Sequence, residues 1–406
     1  MSAALAVPGA PIAAGAFCRR AILDTDNVLH GYELADPSAS PGTVDWLRSL
    51  PDLGVLAGRR PLLLRCAADA LFEFAATLPE GGRVILGLPE CPSAAWEEPD
   101  EPAEPIAQLR ARGVRFALPH QALDTMWCWL VQPDLLVVDM RREAVAESVA
   151  AIRRVRTQAM PVLATGVHTA ALHAAAAAAG AQFFQGHWFE QPMLHKAGVM
   201  RPHQALILRL IALLRGQPDV AEVEELLKRD PALGFDLLRF VDSAALGLGR
   251  RIESFRAAVM IVGMQRLLRW ATVLLATSHP EMPALGHAAV IRGRLMEQLG
   301  AQLLPEPLRD DAFTAGVFSL LDAMTSLPLA KVVHGLGLTE PVLDALLRRT
   351  GELAPLLGLA EACEAAHEEA FAQYVDQLGL TGHQVNMAHL EALAWAEDLL
   401  AMRARN

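Results

Sequence analysis

The sequence has few cysteines, a deficit of positive charge, and no uninterrupted apolar run long enough to cross a bilayer. Its five cysteines, Cys18, Cys66, Cys91, Cys128 and Cys363, are scattered, with no short paired spacing. An odd, dispersed set argues against a disulfide framework and a zinc knuckle, and it suits a reducing cytosol. A net charge of −11 and a pI near 5.6 argue against binding a nucleic-acid polymer, which needs clustered Lys and Arg to neutralise phosphates. Short basic groups such as Arg153-Arg154-Val155-Arg156 and Arg348-Arg349 read as solvated helix faces. The longest apolar run, Ala257 to Thr277, is broken by Arg266 and Arg269, so no membrane span is expected. The opening MSAALAVPGAPIAAGAF carries no basic residue before Arg19. Residues 1–16 therefore read as a loose tail rather than a signal peptide, and the expected location is the cytoplasm.

What is present is enough for sizeable cores. The chain has 406 residues, of which 53% are hydrophobic and 20% charged, and that length predicts two domains. In the first half, brief apolar runs alternate with helical patterns. The runs are Val28 to Leu34, Pro61 to Arg65, Arg83 to Leu88, Val114 to Leu118, Asp134 to Asp139 and Pro161 to Thr165, with Gln182 to Phe184 closing the series. Helical patterns such as Ala67 to Thr77 and Arg142 to Arg156 separate them. Near-continuous apolar strands divided by helices imply a parallel sheet covered on both faces. So many units in so short a span suit a (β/α) barrel, with a doubly wound open sheet as the rival. An acidic, proline-rich surface loop is expected at Glu97 to Pro105.

After Pro192 the strand pattern stops. Ile207, Leu210, Ile211 and Leu214 form an amphipathic stripe. Asp219 with Glu222 has the spacing of a capping box, Asp230-Pro231 opens another helix, and Ser254 caps a third that Gly263 ends. The boundary implied by this change is near residue 200, giving domains at 17–199 and 200–406.

The segment PVLATGVHTAALHAAAAAAGAQFFQGHWFEQP, residues 161 to 192, resembles the closing βαβ unit of the EAL family, barrels that hydrolyse cyclic di-GMP. That family carries glutamates where this chain has Thr165 and His168. Glu33, in His30-Gly31-Tyr32-Glu33-Leu34, occupies the family's first metal-ligand position, but Pro37 lies near the place of its phosphate-holding arginine. Arg65 replaces an asparagine and Gly87 a glutamate, Pro119-His120 stands for the paired aspartates, and Val137 stands for the catalytic lysine. Two-metal hydrolysis needs several carboxylates around its cations. Glu33, Glu90, Asp139 and Gln185 are what remain, so the resemblance implies a barrel that does not hydrolyse cyclic di-GMP. Each survivor also has a plainer reading. Asp139 can cap a helix, Glu33 can be a solvated loop residue or an ion-pair partner, and Gln185-Gly186 can be kept for its glycine. His120, His168 and His187 are expected at the barrel mouth near Glu33 and Asp139. They are either a candidate transition-metal cluster or simply hydrogen-bonded polar residues.

The stretch from Asp230-Pro231-Ala232-Leu233 through Asp242-Ser243-Ala244 to Ile261-Val262-Gly263 is similar to the HDOD domain, a helical relative of the HD phosphohydrolases. Asp242 stands where that family has asparagine before Ser-Ala. True HD enzymes need an adjacent His-Asp pair, and no such dipeptide occurs in this chain. For Asp230 and Asp242 the plain readings are a helix cap and a helix-end polar residue. The fold class implied is α/β plus all-α, an EAL-type barrel followed by an all-helical HDOD domain. The function implied is a catalytically inactive bacterial signalling protein that acts on protein partners, with self-association left open, and with no cofactor expected. A non-hydrolysing cyclic di-GMP receptor and a residual phosphodiesterase are the alternatives.

Overall fold

The computed structural model describes residues 18–35, 60–67, 70, 71, 73, 74, 78, 83–90, 103–191, 200–228, 230–242, 254–279, 281–365 and 367–404. Eight strands close into one barrel: β1 (Cys18–Leu23), β2 (Leu29–Ala35), β3 (Leu62–Arg65), β4 (Val84–Gly87), β5 (Arg115–Pro119), β6 (Leu135–Asp139), β7 (Val162–Thr165) and β8 (Phe183–Gln185). Seven of them fall on the apolar runs read from the sequence, and the open-sheet rival is set aside.

The eighth, β1, corrects the expectation of a purely parallel sheet. It runs antiparallel to both β2 and β8, while the pairs from β2 through β8 are parallel. Arg19 and Arg20 hide this strand in the sequence. Alternation sends them to opposite faces, and each finds a carboxylate, Glu364 for Arg19 and Glu33 for Arg20. The lumen is filled by Ile22, Leu63, Ile85, Ala117, Leu135 and Leu163, with Val137 and Phe183 packed against them. Residues from so many strands meet only inside a closed barrel.

Between the strands lie α1 (Ala103–Ala111), α2 (Met126–Val131), α3 (Val145–Thr157) and α4 (Ala170–Ala179). Thr169 caps α4 by accepting from the Leu172 amide at 3.2 Å, and Gly180, at φ +105°, ends it. Helix α3 begins at Val145, three residues later than the pattern from Arg142 suggested, because the Asp139–Arg142 turn precedes it. The segment 97–102 of the acidic loop lies outside the described residues, and Ala103 to Pro105 already belong to α1.

From Pro202 onward the described elements are helical: α5 (Pro202–Arg215), α6 (Val220–Lys228), α7 (Pro231–Asp242), α8 (Phe255–Val262), α9 (Met264–Ala276), α10 (Pro283–Leu303), α11 (Glu306–Phe318), α12 (Leu321–Thr325), α13 (Leu329–Val333), α14 (Glu340–Leu343), α15 (Ala354–Ala365), α16 (Glu368–Leu378) and α17 (Gly382–Ala404). The α5 stripe is buried as its period predicts. The capping box is formed, with the Asp219 amide on Glu222 at 3.0 Å and the Glu222 amide on Asp219 at 2.9 Å. Ser254 caps α8 through the Ala257 amide at 3.1 Å. Gly263 separates α8 from α9 at an angle of 104°, and no single described helix is long and apolar enough to cross a membrane.

By compactness the chain divides differently from the boundary near residue 200. One unit joins Met1–Phe189 to Gly358–Asp398, and the other joins Glu190–Leu357 to Leu399–Asn406. Helical periodicity cannot show which core a helix serves. Long-range polar contacts can: Arg19 of β1 pairs with Glu364 of α15 at 3.4 Å. Arg60 holds Glu397 of α17 at 2.9 Å, and the Tyr32 hydroxyl donates to the same carboxylate at 3.5 Å.

Candidate functional site

The lumen residues fix what stands above them. Side chains along a barrel strand alternate between inside and outside, so positions two apart share a face. Two steps from Ile22, Leu63, Ile85, Ala117, Val137, Leu163 and Phe183 come Arg20, Arg65, Gly87, Pro119, Asp139, Thr165 and Gln185. The step runs backward in antiparallel β1 and forward in the others, so these positions share one end of the barrel. Glu33 is paired in register with Arg20 and with Leu63, and it faces the same interior.

Glu33 is fully buried, not a solvated loop residue, and both of its oxygens are taken. Arg65 Nε donates to Oε1 at 2.6 Å. Arg20 Nη1 and Gln185 Nε2 donate to Oε2 at 3.3 and 2.7 Å. Burial disfavours the carboxylate, but the Arg65 and Arg20 charges and the bonds from Arg65 and Gln185 outweigh it and hold Glu33 below the usual carboxylate range. Gln185 therefore has a role of its own beside its glycine. Gly186 is also required, since a Cβ there would lie 1.9 Å from the Val167 carbonyl oxygen.

Asp139 ends β6 and caps a turn rather than a helix. It accepts from the Arg141 amide and Nε at 3.0 Å and from Arg141 Nη2 at 2.9 Å. Burial again opposes its charge, and the Arg141 bonds overcome it, so its carboxyl is held low. The two pairs share one field: Asp139 acts on Arg65, and Glu33 acts on Arg141. Three guanidinium groups thus surround two carboxylates, leaving one positive charge in excess.

His168 and His187 stack in the same neighbourhood, with ring centroids 5.7 Å apart and planes 9° from parallel. Burial first, and then His187 and Arg141, lower the pKa of His168 against a smaller opposing pull from Asp139. His120 does not join them: it faces Glu143 at 3.5 Å. Among the described residues no group of three or more His, Cys, Asp or Glu side chains is arranged to hold a metal ion, which corrects the three-histidine expectation. Glu90 is exposed beyond the end of β4, with Arg142 at 3.9 Å, and has no bond to Glu33 or Asp139 among the described residues. The position of Pro37 lies outside the described residues.

Glu33 and Asp139 do not fit a pair of divalent cations. Each oxygen of Glu33 and Asp139 already meets a nitrogen donor, and the nearest added charges are cationic. The residues that do this work, Arg20, Arg65 and Arg141, escaped the sequence reading as a group. The available signal was Arg65 closing the apolar run Leu62-Leu63-Leu64, a position where an unpaired cation would be unfavourable.

In the helical unit, Asp230 caps α7 by accepting from the Leu233 amide at 3.2 Å, and its other oxygen lies 3.3 Å from His203 Nδ1. Asp242 is the last residue of α7, and Ser243 lies outside the described residues. Residues 202–332 match the model of the HDOD domain. This chain carries an HDOD domain. A Vibrio cholerae protein named cyclic di-GMP phosphodiesterase CdgJ is 27% identical over 329 residues, covering 80% of this chain and 75% of that one. Bacillus subtilis YuxH is 26% identical over 294 residues, covering 70% of each. Among solved structures, Klebsiella pneumoniae BlrP1 in a manganese and cyclic di-GMP complex aligns with a TM-score of 0.33 at 18% identity, covering 45% of this chain and 56% of that one. An EAL domain protein from Listeria monocytogenes gives a TM-score of 0.33 at 12% identity, covering 43% of this chain and 87% of that one. The barrel assignment rests on its own closed strand pairing.

Proposed function

We propose that this chain is a signalling protein in a cyclic di-GMP-linked system, with a barrel that does not hydrolyse the nucleotide and an HDOD domain that acts on protein partners. The link to cyclic di-GMP is supported by the relative named as its phosphodiesterase. The single observation that carries the non-hydrolytic reading is the arginine neutralisation of Glu33 and Asp139, on every oxygen a metal would need. Phosphodiester hydrolysis by two metals needs free anionic oxygens to hold the cations and polarise the attacking water. Here the anionic ligands are spent on internal cations.

The test incubates the full chain with cyclic di-GMP and magnesium or manganese and follows the linear dinucleotide. No metal-dependent product is expected. Product formation that Glu33→Gln abolishes would overturn the reading. The competing function, a receptor that holds cyclic di-GMP without cutting it, is separated by calorimetry on the same preparation. Micromolar binding without turnover would make the barrel a receptor for the nucleotide.

A further inference from the structure

We propose that the exposed face of α8, with the elbow that joins it to α9, docks an acidic amphipathic segment of a protein partner. This rests on the reading above that the HDOD domain acts on protein partners, and it names the chemistry such a partner presents.

Helix α8 has two faces. Ala258, Val259 and Val262 are buried. Met260 and Ile261, on the other side, are apolar yet 68% and 45% exposed. Residues three and four apart share a helix face, so Arg256 stands one turn before Met260 on the same stripe. Arg256 is exposed, and its nearest carboxylate, Glu224 at 3.8 Å, is already held by Lys228 at 2.6 Å. The elbow is open as well, since a Cβ on Gly263 would meet no atom within 4 Å. Beyond it, Arg266 on the first turn of α9 is exposed and pairs with no carboxylate among the described residues. Arg269 is set apart, with its guanidinium on Glu297 at 2.7 Å and over the Phe313 ring. From Phe255 to Ala276 the sequence has three arginines and neither aspartate nor glutamate, in a chain whose net charge is −11. Local charge therefore opposes that of the whole chain. Two adjacent exposed apolar side chains with an arginine on either side make an apolar centre with a cationic rim. Methionine adapts to irregular apolar surfaces, and a guanidinium takes a carboxylate through two parallel bonds. A short partner helix with apolar anchors along one stripe and glutamates beside it meets the centre and the rim together. An anionic bilayer fits less well, because helices that lie on lipid bring a broad apolar face with bulky residues and a row of cations.

The experiment titrates the full chain into a fluorescent synthetic peptide and follows its anisotropy. The peptide carries leucines at helical spacing with glutamates flanking the stripe. A scrambled peptide of the same composition and one with lysine for each glutamate are the controls. Phosphatidylcholine vesicles with and without phosphatidylglycerol form a separate arm. Saturable binding of the glutamate peptide is expected, weakening as salt rises. Arg266→Glu lowers that affinity about tenfold, the value of one charge-assisted hydrogen bond, and tightens the lysine peptide instead. Met260→Asp also weakens binding, whereas Met126→Asp, at a methionine of α2 that is 79% exposed, leaves it unchanged. All three positions are exposed, and circular dichroism checks that each variant keeps its fold. Absence of saturable binding, or equal binding of the scrambled peptide, would overturn the proposal. So would binding that Arg266→Glu and Met260→Asp leave intact, or binding of anionic vesicles with none of the peptide. A partner that the full chain captures equally well with Met260→Asp would remove this docking face and leave the partner reading standing.

Discussion

Replacing Arg65 with methionine removes the guanidinium 2.6 Å from Glu33 and keeps an apolar stem of similar length. The two partners are not equivalent. Glu33 is fully buried, whereas Arg65 is half exposed, so loss of the arginine leaves a carboxylate that water cannot reach. Breaking a fully buried pair costs about 3–5 kcal/mol. Here Arg20 and Gln185 still hold Oε2, and solvent screens Arg65, so Arg65→Met is expected to cost about 1–2 kcal/mol. Glu33→Gln frees cations that solvent can hydrate and should cost under about 1 kcal/mol. The double variant removes one charge of each sign and leaves no buried carboxylate without its cation, and the cycle should give a coupling of about 1 kcal/mol or more. Because the chain forms two compact units, one melting temperature is not a two-state measure. Amide hydrogen exchange at Tyr32, Glu33, Leu63 and Leu64 reads the barrel locally. Glu33 has a folded pKa below its ordinary 4.5, so this stabilisation is complete above about that pH and is lost as pH falls through the folded value. A coupling of zero near neutrality, or exchange unchanged in Arg65→Met, would refute the assignment of the arginines as the barrel's counterions.

Three further outcomes follow from the packing. Gly186→Ala forces a methyl onto the Val167 carbonyl and should destabilise the barrel by about 2 kcal/mol or more, read as faster exchange in β7 and β8. Gly316→Ala places a Cβ 2.5 Å from Gly293 Cα at the α10–α11 crossing, and thermal unfolding of the helical unit should move down while barrel exchange stays constant. His389 is fully buried in α17, and burial, with Arg19 nearby, lowers its pKa well below 6.5. Its folded state resists protonation, so barrel stability should fall as pH drops below about 6.5, and His389→Leu should flatten that slope. An unchanged slope in His389→Leu would show that the other histidines with lowered pKa values carry it.

The barrel was legible wherever its strands were apolar on both faces, because Leu62-Leu63-Leu64 or Leu135-Leu136-Val137-Val138 can only be buried runs. Strand β1 was not, since Arg19 is explained by Glu364, 345 residues away, and Arg20 by Glu33, which faces it only once β1 and β2 have paired. The caps at Asp219, Asp230 and Ser254 were readable because capping is local. The same limit governs the site. Substitution by substitution, the family pattern located Glu33, Asp139 and Gln185, but their partnership with Arg20, Arg65 and Arg141 depends on barrel closure. His120 was misplaced for a related reason: it follows β5, but the 3₁₀ turn there directs it to Glu143.

The return of Gly358–Asp398 to the barrel makes the intervening helices an insertion in a discontinuous body. A nascent chain leaving the ribosome therefore completes Glu190–Leu357 before it has made the carboxylate that Arg19 awaits. Closing the first-made strands over their last-made cover is a contact of very long sequence separation, the kind that slows folding most. Translation that stops short of α15 leaves Arg19 of β1 without the carboxylate that holds it.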